Sequence, residues 1–190
     1  MKIKIPIISL ILLLTFFSCK EAKKESVKET PKTTETTHKG QASVVDKDSE
    51  ANALQVAKSL DDFKTLVVAI EAASVEDALV NAGPLTVFAP VNTAFDKLPK
   101  GTVETLLKPE NKSQLAFILK NHVAPANFPV KTLEKNVRKN RKLYMASGKY
   151  LNVTKEGNDL YVGGTKILKS VKVSNGWVHV IGDVLVPKDN

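Results

Sequence analysis

The chain predicts an α+β domain, on three observations. Helix-period apolar stripes occupy its first half, short strand-like runs occupy its second, and an Asn-Gly pair near the C-terminus separates two apolar runs. Helices followed by strands argue against a wound parallel sheet, in which the two would alternate. Asn175-Gly176 is the strongest local signal, because a two-residue hairpin turn asks for positive φ at its centre. The second hairpin arm reads Trp177 to Ile181, dips through Gly182-Asp183, and resumes as Val184-Leu185-Val186 until Pro187 stops it.

The remaining elements follow in order. Phe63, Leu66, Val67 and Ile70 recur at i, i+3, i+4 and i+7, one stripe of an amphipathic helix. Ser74-Val-Glu-Asp77 fits a capping-box start for a short second helix, which Gly83-Pro84 would end. A β-rich run then stops at Ala89-Pro90, and Asn92 or Thr93 is placed to cap a short helix carrying Phe95 and Leu98. Thr102 to Leu107 supplies another brief helix. Pro109 opens the next, with Leu115, Ile118, Leu119 and His122 on one face. Short strands are expected at Leu143 to Met145, Tyr150 to Val153, Leu160 to Val162, Lys166 to Leu168 and Val171 to Ser174. Gly148, Glu156 to Asp159 and Gly163-Gly164 punctuate them. No internal repeat occurs, so residues 51–190 read as one module.

Residues 1–19 read as an export signal: Lys2 and Lys4 form a basic start, Ile5 to Phe17 a largely apolar run of 13, and Ser18-Cys19 a processing site. The run is too short to serve as a mature spanning helix. Cys19 is the sole cysteine, and a Cys after a small residue here resembles the lipobox of bacterial lipoproteins. The plainer alternative is a cleaved signal with an incidental Cys. Two or three acyl chains on Cys19 would anchor the protein stably, where one would not. The expected location is then the outer membrane, facing either the cell surface or the periplasm. Residues 20–50 are Lys, Glu, Thr and Ser with hardly an apolar side chain, the composition of a disordered tether of roughly 30 Å root-mean-square reach.

Net charge narrows the choice of partner. Two of the +8 lie in the signal lysines and the tether balances seven basic against seven acidic residues, which leaves +6 on 51–190. Much of it concentrates in Lys131, Lys135, Arg138, Lys139, Arg141, Lys142 and Lys149, with Glu134 as the local offset. Such a segment would hold an acidic polysaccharide, a matrix or another envelope protein through salt-sensitive attraction; it would equally serve as a solvated loop. Nucleic acid is not an expected partner of an exported chain, and Tyr144 and Tyr150 alone make no stacking array.

No catalytic motif is present. The chain lacks a nucleophile elbow, a phosphate loop, a His-Glu-x-x-His run and a Cys-x-x-Cys pair, and its acids are scattered. No enzyme, metal or cofactor is expected. His122 is expected to point inward near its helix end. His179 shares a strand face with Trp177 and Ile181, and each imidazole suits a neutral group bonded to a backbone carbonyl. Asp183, beside Gly182, suits a turn carboxylate accepting backbone N–H groups.

Three ordered segments carry a family likeness: Leu85-Thr-Val-Phe-Ala-Pro-Val-Asn-Thr-Ala-Phe-Asp-Lys-Leu-Pro99, Ile118-Leu-Lys-Asn-His-Val123, and Asn175 to Pro187. Together they resemble the signature segments of the fasciclin-like domain, over about Leu54 to Lys188. The resemblance implies a wedge of two small inclined sheets flanked by short helices. It makes Phe88, Pro90, Asn92, Phe95, His122, Asn175, Gly176, His179, Asp183 and Pro187 signature positions of mainly structural role. It also implies an adhesion or interaction module rather than an enzyme. Animal members use a short acidic segment before the hairpin and a Tyr-His pair; here Leu168-Lys-Ser-Val-Lys172 has no acid, and Asn121 stands in place of the Tyr. Other family members are carriers of apolar pigments or lipids. For that alternative Trp177, Phe88, Phe95 and Phe117 are the candidate lining, or simply core.

Overall fold

The structure is a computed structural model that describes residues 51–80 and 83–187. The expected signal, Cys19 and the tether lie outside the described residues.

Seven helices and eight strands are present among them. The chain begins with α1 (Ala53–Ser59), α2 (Lys64–Ala73) and α3 (Glu76–Val80), then β1 (Leu85–Pro90). Next come α4 (Asn92–Asp96), α5 (Thr102–Leu106) and α6 (Lys112–Lys120), followed by β2 (Val123–Ala124) and α7 (Val130–Arg138). The remainder is strand: β3 (Leu143–Tyr144), β4 (Tyr150–Leu151), β5 (Val153–Glu156), β6 (Asp159–Val162), β7 (Thr165–Val173) and β8 (Gly176–Ile181). Six strands form one curled mixed sheet in the order β2-β1-β8-β7-β6-β5, and β3 and β4 form a separate small one. This is the expected α+β class.

The sheet owes its shape to β7. Its first residues pair with β6, its later ones with β8, and the register slips between Ile167 and Lys169. A bulge of this kind bends a strand and sharpens its twist, so one continuous strand turns the ladder from one plane into another. Two separate runs, Lys166 to Leu168 and Val171 to Ser174, were expected; the bulge is where they join.

β1 and β8 lie in the middle and run parallel, Leu85 opposite Gly176 through Pro90 opposite Ile181. Every residue of β1 is buried. Alternation then sorts side chains onto two cores. Leu85, Val87, Ala89 and Val178 face Leu66, Ile70, Leu115 and Leu119 of the helices. Phe88 and Ile181 face Leu133, Leu143, Met145 and Val162 on the other side.

The hairpin forms where expected but not with the expected geometry. Val173 pairs with Gly176, so Ser174 and Asn175 are the central residues. Asn175 does not take a positive φ; Gly176 does, at 144°. Its lack of a side chain is a matter of space, since a Cβ there would sit 1.7 Å from the Leu85 carbonyl oxygen. Asn175 is a brace: its Oδ1 accepts from Ala53 N–H at 3.1 Å, its Nδ2 donates to the Leu79 carbonyl at 2.7 Å, and its own carbonyl accepts from Leu85 N–H at 2.9 Å.

Several local expectations are corrected. Asn92 does not cap its own helix. Its Oδ1 accepts from Thr65 N–H at 3.1 Å and its Nδ2 donates to the Asp61 carbonyl at 2.8 Å, so it caps the start of α2 from across the chain. Ser74 closes α2 in a left-handed conformation instead of opening α3. Val184 to Val186 form no strand. The basic segment is helical through Arg138 rather than a loop, because Val130, Leu133 and Val137 supply one narrow apolar stripe. α1 was not expected; Asn52 and Gln55 begin it with a reciprocal capping box.

Gly176→Ala should destabilise the domain by more than about 4 kcal/mol, because the new methyl would collide with backbone that has no room to move. Urea unfolding monitored at Trp177 measures it, and a loss below about 0.5 kcal/mol, the spread of neutral surface changes, would refute the close approach.

Candidate functional site

Two kinds of site emerge from the packing, one charged and outward, the other apolar and inward.

The charged site begins on α7. Lys131, Lys135 and Arg138 fall on one side at i, i+4 and i+7, opposite buried Leu133 and Asn136. Lys139, Asn140, Arg141 and Lys142 lead from the helix into β3. The turn is tight: Asn140 has φ 48°, and Arg141 N–H reaches back to the Asn136 carbonyl at 2.9 Å. Lys149 enters β4. Six of the seven predicted cations are exposed and Lys149 is half-buried, and none pairs with a carboxylate among the described residues. Glu134, the expected offset, is held by Lys155 at 2.7 Å. That hydrogen bond, with the charges of Lys155 and Arg138, keeps its carboxyl below the usual range. Cations near the end of α7 also meet the negative pole of the helix, which explains Lys135, Arg138 and Lys139 structurally but not Lys131 in the first turn. On the hairpin, Tyr144 and Tyr150 oppose each other across β3 and β4 and both face solvent.

The apolar site is a pair of adjoining pockets beside β1, the second reaching past the helices to Phe88, Pro125 and Ala146. One, about 140 Å³, lies among α2, α4, α5, α6 and the tail, with Phe95, Leu106 and Val184 in its wall. The second, about 190 Å³, lies between α2, α3 and β1, with Ile70, Leu79 and Phe88 in its wall. Leu66, Leu119 and His122 border both. Of the four aromatics expected to line a pocket, Phe88 and Phe95 do so. Phe117 and Trp177 do not: Phe117 is turned to solvent, and Trp177 lies half-buried beside His179 with ring centroids 6.2 Å apart.

His122 holds the tail against this region. Leu185 N–H donates to its Nε2 at 2.8 Å, so Nδ1 carries the proton and donates to the Ile118 carbonyl at 2.9 Å. Asn121, buried beside it, donates from Nδ2 to the Leu185 carbonyl at 2.8 Å. Both backbone groups of Leu185 are thus tied to consecutive side chains, a latch that periodicity does not reveal. Burial lowers the His122 pKa to about 4 against the opposing pull of the Ile118 carbonyl, so the ring is neutral at pH 7. His179 donates from Nε2 to the Phe128 carbonyl at 2.8 Å and accepts the Ser170 hydroxyl at 2.7 Å, and burial lowers its pKa also. Asp183 departs from expectation. Its two oxygens accept from side chains, Lys97 Nζ at 2.7 Å and Thr165 Oγ1 at 2.9 Å, not from backbone, and these bonds depress its pKa. Pro90 is buried at the end of β1, and Pro187 follows the tail half-buried.

A family model for the fasciclin domain matches residues 61–187, two thirds of the chain. The chain belongs to the fasciclin-domain family. Protein sll1483 of Synechocystis is 41% identical over 140 residues, covering 74% of this chain and 76% of that protein. Immunogenic protein MPB70 of Mycobacterium bovis is 38% identical over 109 residues, covering 57% of this chain and 52% of its own. In fold, the domain is similar to a solved pair of such domains from the insect cell adhesion molecule fasciclin I. That match has a TM-score of 0.51 and 22% identity, over 65% of this chain and 45% of the insect one.

A fasciclin domain with two buried neutral imidazoles should lose stability in mild acid. The unfolded chain takes up the His122 proton near the ordinary 6.5, while the folded chain resists to about 4. Stability is therefore full above pH 6.5 and falls on acidification toward pH 4, by about 3 kcal/mol from His122, with His179 adding in the same direction. Urea midpoints across this range measure the slope, and His122→Gln should flatten it. An unchanged slope in that variant would remove His122 as its source.

Proposed function

We propose that this protein is an extracytoplasmic interaction module that holds acidic polymers on the face formed by α7 and the β3–β4 hairpin. The observation that carries the reading is the run of seven cations outside any close ion pair among the described residues, while the neighbouring acid, Glu134, is hydrogen-bonded to Lys155. A concentrated field of one sign attracts a polyanion over a distance set by salt. The fold likeness to a cell adhesion molecule supports an interaction role but names no partner. In this reading Cys19 is acylated, and residues 20–50 tether the domain to the envelope.

The pockets favour a second reading, a carrier of small apolar molecules. Each is of the size that accepts a benzene-scale guest. A pigment or a long acyl chain would need both, with Leu66 and Leu119 displaced, so this reading stands behind the first.

Substituting Arg138, Lys139, Arg141 and Lys142 together by Gln should weaken alginate binding at least about tenfold at 0.1 M salt, where charges act over roughly 10 Å, and little at 1 M, where they act over about 3 Å. The fold should be unaffected, because all four side chains are exposed. Binding that ignores both the substitutions and the salt would discard the charged face and promote the pockets. For the anchor, Cys19→Ser should move the protein from the membrane fraction to the soluble fraction of expressing cells and abolish labelling by a clickable fatty acid; unchanged labelling would refute acylation at Cys19.

A further inference from the structure

The hairpin carries a second kind of information beside charge. Tyr144 and Tyr150 are 50% and 64% exposed, the two most open aromatic side chains among the described residues. Their ring centroids lie 5.3 Å apart with the planes at 57°, so the rings form an open V rather than one flat stack. Strand alternation holds them outward, since Leu143 and Met145 on either side of Tyr144 are fully buried. The turn beneath is closed by Met145 N–H to the Lys149 carbonyl at 2.9 Å and Gly148 N–H to the Met145 carbonyl at 2.8 Å. The rings therefore stand on a rigid base rooted in the second core. Arg141 and Lys142 precede Tyr144 on one strand, and Lys149 precedes Tyr150 on the other.

We infer that this hairpin is a sugar-stacking platform, and that the acidic polymer held by the basic face is a polysaccharide bearing carboxylates or sulfates. The inference rests on the acidic-polymer reading above and names its substrate class. A pyranose ring shows one face of C–H groups, slightly positive, which lies well on the negative face of an aromatic ring. Tyrosine offers that face at low entropic cost, with two torsions to fix and a hydroxyl that keeps its tip wet. The same sugar carries its charge at the rim, and Lys142, which alternates onto the same side of the strand as Tyr144, supplies a point charge there. An acidic peptide would gain from the cations but has no flat apolar faces to place on two rings. An anionic lipid surface would attract the same cations, and it is one of the outcomes of the test.

The test uses the full chain and three immobilised probes: alginate as a polyuronate, poly-L-glutamate as a sugar-free polyanion, and phosphatidylglycerol vesicles. The wild type should hold alginate more tightly than the other two at equal salt. Tyr144→Leu with Tyr150→Leu keeps apolar bulk on the hairpin but removes the flat rings; it should weaken alginate binding about tenfold and leave poly-L-glutamate binding unchanged. Tyr144→Phe with Tyr150→Phe keeps the rings and should restore alginate binding, which separates ring loss from a disturbed hairpin. Alginate binding untouched by the Leu pair yet lost in the four-Gln variant would overturn the platform and spare the charge reading. Preference for poly-L-glutamate or for vesicles would overturn it in favour of an acidic protein or a membrane. Failure of the wild type to hold any of the three would sink both readings together.

Discussion

Everything in this domain is arranged around two parallel strands that touch almost without a gap. At Gly176 the backbone of β8 lies so close to Leu85 that no β-carbon fits between them. That contact brings the C-terminal hairpin beside a strand some ninety positions earlier in the chain and makes one wall with two buried faces. Parallel strands seldom expose a face to water, because their connections cover them, and here both faces are covered by different materials. Helices pack on Leu85, Val87, Ala89 and Val178; α7 and the β3–β4 hairpin pack on Phe88 and Ile181. Asn175 braces the seam, joining α1, the end of α3 and β1 through one residue.

Polar side chains that enter this interior are paired, and no buried side-chain nitrogen or oxygen among the described residues lacks a hydrogen-bond partner. His122 and Asn121 close on the two backbone groups of Leu185, and His179 spans Ser170 and the Phe128 carbonyl. Such bonds are strong in a low dielectric when complete and costly when broken. They explain why two histidines that invite a functional reading are joints of the scaffold. They also explain Asn121, which stands at the position of a family tyrosine yet is buried and committed to Leu185 and Ser147.

Charge is segregated from that interior. The cations gather on α7 and the hairpin, which cover the second core with Leu133, Leu143 and Met145 and turn their other sides to water. A surface so placed is free to vary without disturbing the central strands, so one fold can serve many partners. The pockets, by contrast, are walled by the same Leu66 and Leu119 that fill the helical core, and any guest there must compete with packing.

The α+β class, the hairpin site and the helices of the first half were legible because each rests on a period or a turn preference contained in a few consecutive residues. The capping box at Asn52 and Gln55 is just as local, yet no helix was expected there. The seven cations were visible as a run, but their helical half was obscured by having only three apolar residues in nine. Other features needed the fold. Asn92 reads as the cap of its own helix because capping is normally local, yet its partners are Asp61 and Thr65, brought near by tertiary packing. Val184 to Val186 look like a strand by composition, but His122 and Asn121 take both backbone groups of Leu185, and Val186 N–H turns back to the Val184 carbonyl. Sequence alone determined what each short segment prefers and which residues carry charge. Tertiary structure decided which distant segments meet, because that depends on space left at single positions such as Gly176 and on hydrogen bonds between residues far apart in the chain.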